Sequence, residues 1–249
     1  MNPGNLLVTG AGRGIGAACA RAAARAGWNV ALNYHRDEAS AKEVADAVRA
    51  AGRKVLLLKG DVSQEADVLG LFAAIDAEWG TLNGLVNNAG VVDVAARVDE
   101  MSVARLARMF GVNVIGSMLC AREAVRRMST KHGGRGGAIV NLGSAAARLG
   151  SPGQYVDYAA AKGAIDSFTI GLAREVAGER IRVNAVRPGI IDTDIHASGG
   201  LPDRARELAP QVPMKRAGTA DEVAQAVLWL LSPAASYTTG ALLDVSGGR

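Results

Sequence analysis

Tyr158 and Lys162 stand four residues apart in Tyr-Ala-Ala-Ala-Lys, a run whose alanines favour a helix. On a helix that spacing puts both side chains on one face, one turn apart. A phenol with a pKa of about 10 is a poor proton donor or acceptor near neutrality. An ammonium beside it stabilises the phenolate, and bringing the value down to roughly 7 takes about 4 kcal/mol of differential interaction. Tyr155 precedes Lys162 by seven residues and also returns to that face. Seven residues rise roughly 10 Å along a helix against about 6 Å for four, so Lys162 tunes Tyr158, and Tyr155 reads as a pocket wall. Ser144 follows the apolar run Ala138 to Leu142, where a hydroxyl at a strand end could donate to a substrate oxygen and orient it for Tyr158. Asn113 sits between two valines in a predicted helix, an odd place for an amide without partners. Each has an ordinary reading too: a surface Tyr–Lys pair, a turn serine, a satisfied core amide.

Near the start, Thr9-Gly10-Ala11-Gly12-Arg13-Gly14-Ile15-Gly16 carries an apolar run into a helical one. Glycines there permit a tight turn and let backbone approach a pyrophosphate, which the helix N-terminus stabilises. The spacing is TGxxxGxG, because Ile15 stands where the third glycine of GxGxxG would fall. Nicotinamide-binding folds that take NAD usually carry an acid after the second strand, for the ribose hydroxyls. Here that strand ends Asn33-Tyr34-His35-Arg36, with no carboxylate before Asp37. An acid would repel a 2′-phosphate, whereas Arg36, with Arg13 from the glycine turn as a second clamp, can pair with one. The expected cofactor is NADP(H), with NAD(H) as the alternative.

The turn TGAGRGIG resembles that of the short-chain dehydrogenase/reductase family, and further motifs follow in order. These are Asp61-Val62, Asn87-Asn88-Ala89-Gly90, Asn113, Ser144, Tyr158 with Lys162, and Pro188-Gly189 leading to Thr193. The resemblance covers nearly the whole chain and is strongest to bacterial oxidoreductase and glucose-dehydrogenase-like members. It implies interconversion of a carbonyl and a secondary alcohol by hydride transfer, with Tyr158 as acid/base and Asn113, Ser144 and Lys162 completing the catalytic set. It places Gly10, Arg13, Gly14, Ile15, Gly16, Tyr34 and Arg36 around the dinucleotide. Asp61 and Val62 would flank adenine, and Asn88, Ala89 and Gly90 the middle of the cofactor. Pro188, Gly189, Ile191 and Thr193 would line the nicotinamide side, and Ser144, Tyr155, Tyr158 and Ile195 would meet the substrate. It also implies that Asn113 kinks its helix and holds a water linked to Lys162. One departure is Ala161, where many relatives carry serine. A protein that only senses or carries NADP(H) is the rival reading, but it would not need Asn113, Ser144, Tyr158 and Lys162 together.

Short β-branched or leucine-rich runs must position these groups: Leu6 to Thr9, Val30 to Asn33, Val55 to Lys59, Gly84 to Val86, Ala138 to Leu142, Ile181 to Val186 and Leu242 to Val245. Helical stretches such as Gly14 to Ala26, Ala39 to Ala51 and Gln64 to Trp79 lie between them. Alternation of this kind predicts a doubly wound α/β chain, a seven-stranded parallel Rossmann sheet with helices on both faces, in one domain over residues 1–249. Thr219 and Glu222 predict a capping box. Asp61 reads as a cap before Gln64, as well as an adenine neighbour.

Composition narrows the partners. Apolar residues make up 49% and charged ones 21%, enough core for an ordinary folded domain. The net charge of +4 is spread along the chain, and its densest stretch, Arg122, Arg126, Arg127, Lys131, His132 and Arg135, reads as the cationic end of a helix. No nucleic-acid partner is expected. Cys19 and Cys120 read as buried thiols, and the three histidines are isolated, so no metal site is expected. The N-terminus enters Leu6-Leu7-Val8 at once, leaving no room for a signal peptide, and no apolar run approaches a membrane span. A cytoplasmic protein is expected, without a membrane partner, assembled as a homo-oligomer (dimer or tetramer) and acting on a small carbonyl or alcohol. The segment from Asp194 to Val212 reads as a lid that carries substrate specificity.

Overall fold

The computed structural model describes residues 4–194 and 199–249. Seven strands, β1 (Asn5–Val8), β2 (Asn29–Tyr34), β3 (Val55–Lys59), β4 (Gly84–Asn87), β5 (Gly137–Leu142), β6 (Ile181–Pro188) and β7 (Leu242–Val245), form one sheet. Its order is β3-β2-β1-β4-β5-β6-β7 and every pair is parallel. The seven expected strands are all present, shifted by a residue or two at their ends.

Side chains alternate across the sheet, and each face is sealed by helices. Leu6, Val8, Val30 and Leu32 point to one face with α1 (Gly14–Arg25), α2 (Glu38–Ala50) and the late helix Ala220–Leu231. Leu7, Ala31, Leu85 and Ile139 point to the other, against α3 (Glu65–Trp79), α5 (Ser117–Met128) and α7 (Val156–Val176). The alanines of α1 bring it close to the sheet and to helix Ala220–Leu231, both part of one buried cluster. Cys19 and Cys120 lie in these layers, and burial pushes both thiols up to about 12, as expected of inert core groups.

Local chemistry sets the helix ends. Thr219 Oγ1 accepts from Glu222 N at 3.2 Å and Glu222 Oε2 accepts from Thr219 N at 2.8 Å, the expected capping box. Asp37 caps α2, accepting from Ser40 N at 3.0 Å. The cap expected of Asp61 is not formed. Gln64 occupies the N-cap of α3, and Asp61 turns back to accept from Ser63 N at 2.9 Å, forming a local turn ahead of the helix.

The stretch Val103–Met128 is long and apolar enough to cross a membrane by length and composition, contrary to the expectation from sequence. Its Met109, Cys120, Ala124 and Met128 are buried within the protein, while Val103, Ile115 and Met118 are exposed. Four members of the basic patch at its end are paired with acids. Glu123, 3% exposed, accepts from Arg122, Arg126 and Arg127, while Arg127 also reaches Asp76 at 2.6 Å. Lys131 pairs with Glu179 at 2.8 Å.

Candidate active site

The strand order reverses beside β1, between β1 and β4, and ligands of such sheets bind in the crevice beyond the carboxyl ends at that point. A cleft of about 1070 Å³, counted to its open mouth, lies there. It runs from Ile15 in the glycine turn, past Asn88 and Gly90 after β4, to Ser144 after β5. Tyr158 and Lys162 of α7 form its floor, and Pro188, Gly189, Ile191 and Thr193 after β6 form the facing wall.

The glycine turn is held from below. Gly10 and Gly14 take left-handed φ values of +61° and +54°, which an L side chain would strain. A Cβ on Gly16 would stand 2.4 Å from both Asn88 Nδ2 and Gly10 O, so only glycine fits. Arg13 at the N-cap of α1 makes no side-chain cap, and the first turn carries no acid, so its amide donors point toward the cleft uncapped. Two polar residues fasten the turn. Asn33 Oδ1 accepts from Gly10 N at 3.2 Å while its Nδ2 donates to Gly60 O at 3.0 Å. Thr9 Oγ1 accepts from the backbone N of Asn88 and Ala89, each at 3.0 Å, and Asn88 Nδ2 donates back to Thr9 O at 2.9 Å. Neither Thr9 nor Asn33 stood out in the sequence as a site residue. Their signal is a polar side chain at the end of an otherwise apolar strand.

The tip after β2 is basic. Arg13 and Arg36 are both exposed there. The nearest acid, Asp37, is occupied by Ser40 N and Oγ, and those bonds together with the charge of Arg13 hold its carboxyl below the usual range. Asp61 feels His35 and Arg36, with His35 Nε2 at 3.8 Å, and Ser63 holds it low against the opposing effect of its partial burial. Val62 is buried and packs against Gly116. Tyr34 is half-buried at the end of β2. An uncapped helix start, a glycine cradle and two arginines suit a dinucleotide carrying phosphates.

Tyr158 faces the cleft, hydrogen-bonded to Ser144, whose Oγ also accepts from Ala146 N at 3.1 Å. Lys162, only 4% exposed, donates to Leu142 O at 2.7 Å and holds its ammonium 5.6 Å from the Tyr158 ring centre. The expected depression of the tyrosine is not what this geometry produces. Burial pushes Tyr158 up to about 12, with the Ser144 hydrogen bond pulling the other way. Burial also pushes Lys162 down to about 8, opposed by Asp166 one turn further along α7. Both groups share a low-dielectric floor, which disfavours the charged form of each.

Asn113 is fully buried in a π-helical segment, Gly111–Gly116, between α4 (Val103–Phe110) and α5. Such single-turn widenings commonly mark functional sites. Its amide is consumed within the protein: Nδ2 donates to Val91 O at 2.9 Å and Met109 O at 3.0 Å, and Oδ1 accepts from Val91 N at 3.2 Å. It sits behind the cleft wall, not in it. Gly90 separates it from Lys162, since a Cβ there would be 2.8 Å from Asn113 Oδ1 and 3.7 Å from Lys162 Nζ.

Tyr155 lines the cleft as expected, but it is the N-cap of α7 and lies outside the helix, so helical spacing does not relate it to Lys162. Arg204 stacks on its ring at 5.3 Å from the centre. Arg204 belongs to a short helix, Arg204–Leu208, in the segment read as a lid. Ile195 lies outside the described residues. A pairing that sequence reading missed lies next to Tyr158: Asp157, with no exposed side-chain surface, takes Arg105 Nε at 2.8 Å and Nη2 at 3.3 Å. Arg105 Nη1 also donates to Val94 O at 2.6 Å, so one guanidinium joins α4, the β4 loop and the start of α7. Among the described residues, no group of three or more His, Cys, Asp or Glu could hold a metal ion.

Residues 10–249 match the protein family described as Enoyl-(Acyl carrier protein) reductase. The chain is 51% identical to the uncharacterized oxidoreductase YgfF of Escherichia coli (strain K12), over 98% of each chain. It is 36% identical to glucose 1-dehydrogenase 2 of Bacillus subtilis (strain 168), over 97% of this chain and 93% of that one. A crystal structure of a short-chain type dehydrogenase/reductase from Mycobacterium marinum superposes with a TM-score of 0.91 at 35% identity, covering 98% of this chain and 94% of that one. With the cleft at the strand reversal and the glycine turn that opens it, these likenesses identify the chain as a member of the short-chain dehydrogenase/reductase family of NAD(P)(H)-dependent oxidoreductases.

Proposed function

We propose that the protein interconverts a carbonyl and a secondary alcohol with NADP(H), using Tyr158 as the acid/base. The observation that carries the reading is the placing of Ser144, Tyr158 and Lys162 on one cleft that begins at the glycine turn. The nicotinamide, when bound, supplies the hydride to the carbonyl carbon or takes it from the alcohol. Gly10, Gly14, Ile15 and Gly16 would hold the pyrophosphate at the start of α1, with Asn88, Ala89 and Gly90 beneath it. Pro188, Gly189, Ile191 and Thr193 would border the nicotinamide, and Asp61 and Val62 the adenine.

In reduction, the Tyr158 hydroxyl gives its proton to the substrate oxygen as negative charge develops there. Ser144 donates to the same oxygen and orients it. Lys162 stabilises the phenolate left behind, its ammonium anchored on Leu142 O. Asn113 fixes the loop after β4 beside Lys162, and its carbonyl, which accepts from Ser117 Oγ at 3.3 Å, is the group through which a proton relay would pass.

The pH dependence follows from the lysine. With Lys162 pushed down to about 8, its ammonium is present below that pH and lost above it. Tyr158, pushed up, stays protonated throughout that range. Reduction is therefore expected to slow as pH rises through about 8, while oxidation, which needs the phenolate, gains toward alkaline pH. Initial rates in both directions across pH check this; reduction that accelerates through that window would contradict it.

The preference for NADP(H) over NAD(H) rests on Arg13 and Arg36 at the tip after β2, where Asp37 is withdrawn into a cap. A charge-assisted bond to a phosphate contributes about 1.5–3 kcal/mol, so Arg36→Ala should cut kcat/KM with NADPH by roughly tenfold or more. The same change should leave NADH kinetics nearly untouched. Equal losses with both cofactors would instead mean a general structural role. The subunits act as a homo-oligomer in this reading, supported by the exposed Val103, Ile115 and Met118 along one helical stretch and Trp229 near the end of the chain.

A further inference from the structure

Besides Ser144, Tyr158 and Lys162, the cleft is lined by apolar side chains, among them Val92, Leu149 and Ile190, and by two arginines, Arg204 and Arg249. Neither is neutralised by an ion pair to a carboxylate among the described residues. Arg204 holds its guanidinium carbon over the Tyr155 ring, 5.3 Å from the ring centre. Arg249 Nη1 is shut off from solvent and has no hydrogen-bond partner among the described residues. Asp244, the acid on the neighbouring strand end, is already taken by Arg187 at 2.7 Å and Arg148 at 3.1 Å. A buried guanidinium nitrogen without an acceptor is unfavourable unless something supplies one. Among the described residues, Arg204 and Arg249 are the only cationic side chains besides Lys162 that line the cleft.

We infer that the substrate is an oxo acid or the corresponding hydroxy acid, whose carboxylate is bound by Arg249 and Arg204 while its carbonyl lies at Tyr158. This rests on the reading under Proposed function and names its substrate class. A carboxylate matches the planar guanidinium fork, and its single charge is cheaper to desolvate at a shielded nitrogen than the near-double charge of a phosphate. The apolar side chains lining the same cleft suit a hydrocarbon body between the carboxylate and the reacting carbon.

The test is kcat/KM for levulinate and its longer-chain oxo-acid homologues, each beside its methyl ester, with uncharged aldehydes and ketones as controls. At the chain length that spans the cleft, the acid should exceed its ester by roughly ten- to a hundredfold, the range of one or two charge-assisted hydrogen bonds. Arg249→Met should erase most of that preference by lowering the acid's kcat/KM far more than the ester's, and Arg249→Lys should restore part of it. Arg204→Met should erase the remainder. Esters equal to or better than acids at every length would overturn the inference, as would an acid preference that survives both methionine variants. Turnover of the uncharged controls alone would overturn it and leave the proposed reaction standing. No turnover of any carbonyl, with no binding of NADPH, would remove the proposed reaction itself.

Discussion

Tyr158→Phe is expected to lower kcat by roughly a hundred- to ten-thousandfold, the range of a positioned general acid, while leaving NADPH affinity essentially unchanged. The phenyl ring fills the same space above Lys162 and removes only the hydroxyl bonded to Ser144. Lys162 keeps its anchor on Leu142 O, and the glycine turn, tied through Asn33 and Thr9, is untouched. The expected pattern is thus a protein that folds and binds cofactor but does not transfer hydride to a carbonyl. Single-turnover oxidation of bound NADPH would read the loss directly. A variant that retained wild-type turnover would remove Tyr158 from the chemistry and leave Ser144 and Lys162 without a proton donor. The same pattern discriminates against a pure cofactor sensor, whose role would survive the substitution.

Arg105→Met is expected to destabilise the protein by about 3–5 kcal/mol, the usual result of leaving one half of a buried ion pair behind. Asp157 has no exposed side-chain surface and Arg105 is 11% exposed. Asp157 Oδ1 also accepts from Tyr158 N at 2.9 Å, so the stranded carboxylate would sit directly beside Tyr158. Arg105→Met with Asp157→Leu should recover most of the stability, because the uncompensated charge goes with the second change. Denaturant unfolding of the two single variants and the double variant measures this coupling. Losses that simply add would show that the pair does not act as a unit. Since the guanidinium joins α4 to the start of α7, the single variant should also lower kcat more than it raises KM.

What could be read from the chain and what could not divide along the distance over which an interaction acts. Tyr158 and Lys162 were legible because four residues on one helix fix their relation, and the helix is there. The strands were legible as apolar runs, and the sheet buries both of its faces as such runs require. The glycine turn was legible because positive φ leaves a compositional mark. Contacts between distant segments left no such mark. Asn33 reaches Gly10 across 23 positions, Thr9 reaches Asn88 across 79, and Arg105 reaches Asp157 across 52. The reading of Asp61 as a helix cap failed because the chain makes one more turn before α3, whose N-cap is Gln64. The raised value of Tyr158 was not legible for another reason: spacing gives proximity, but the shared burial that opposes both charges is a property of the folded cleft. Arg249 lies at the far end of the chain from the glycine turn, and only the return of β7 beside β6 brings it to the cleft.

The turn after β1 and the cleft beyond it are expected to hold a nicotinamide dinucleotide. The most direct test is a fluorescence titration of the purified protein with NADPH and, in parallel, NADH. Saturable binding with NADPH the tighter of the two is the predicted result, and tighter NADH binding would contradict the assignment of Arg13 and Arg36 while leaving the reaction class in place. Binding of neither would contradict the account as a whole.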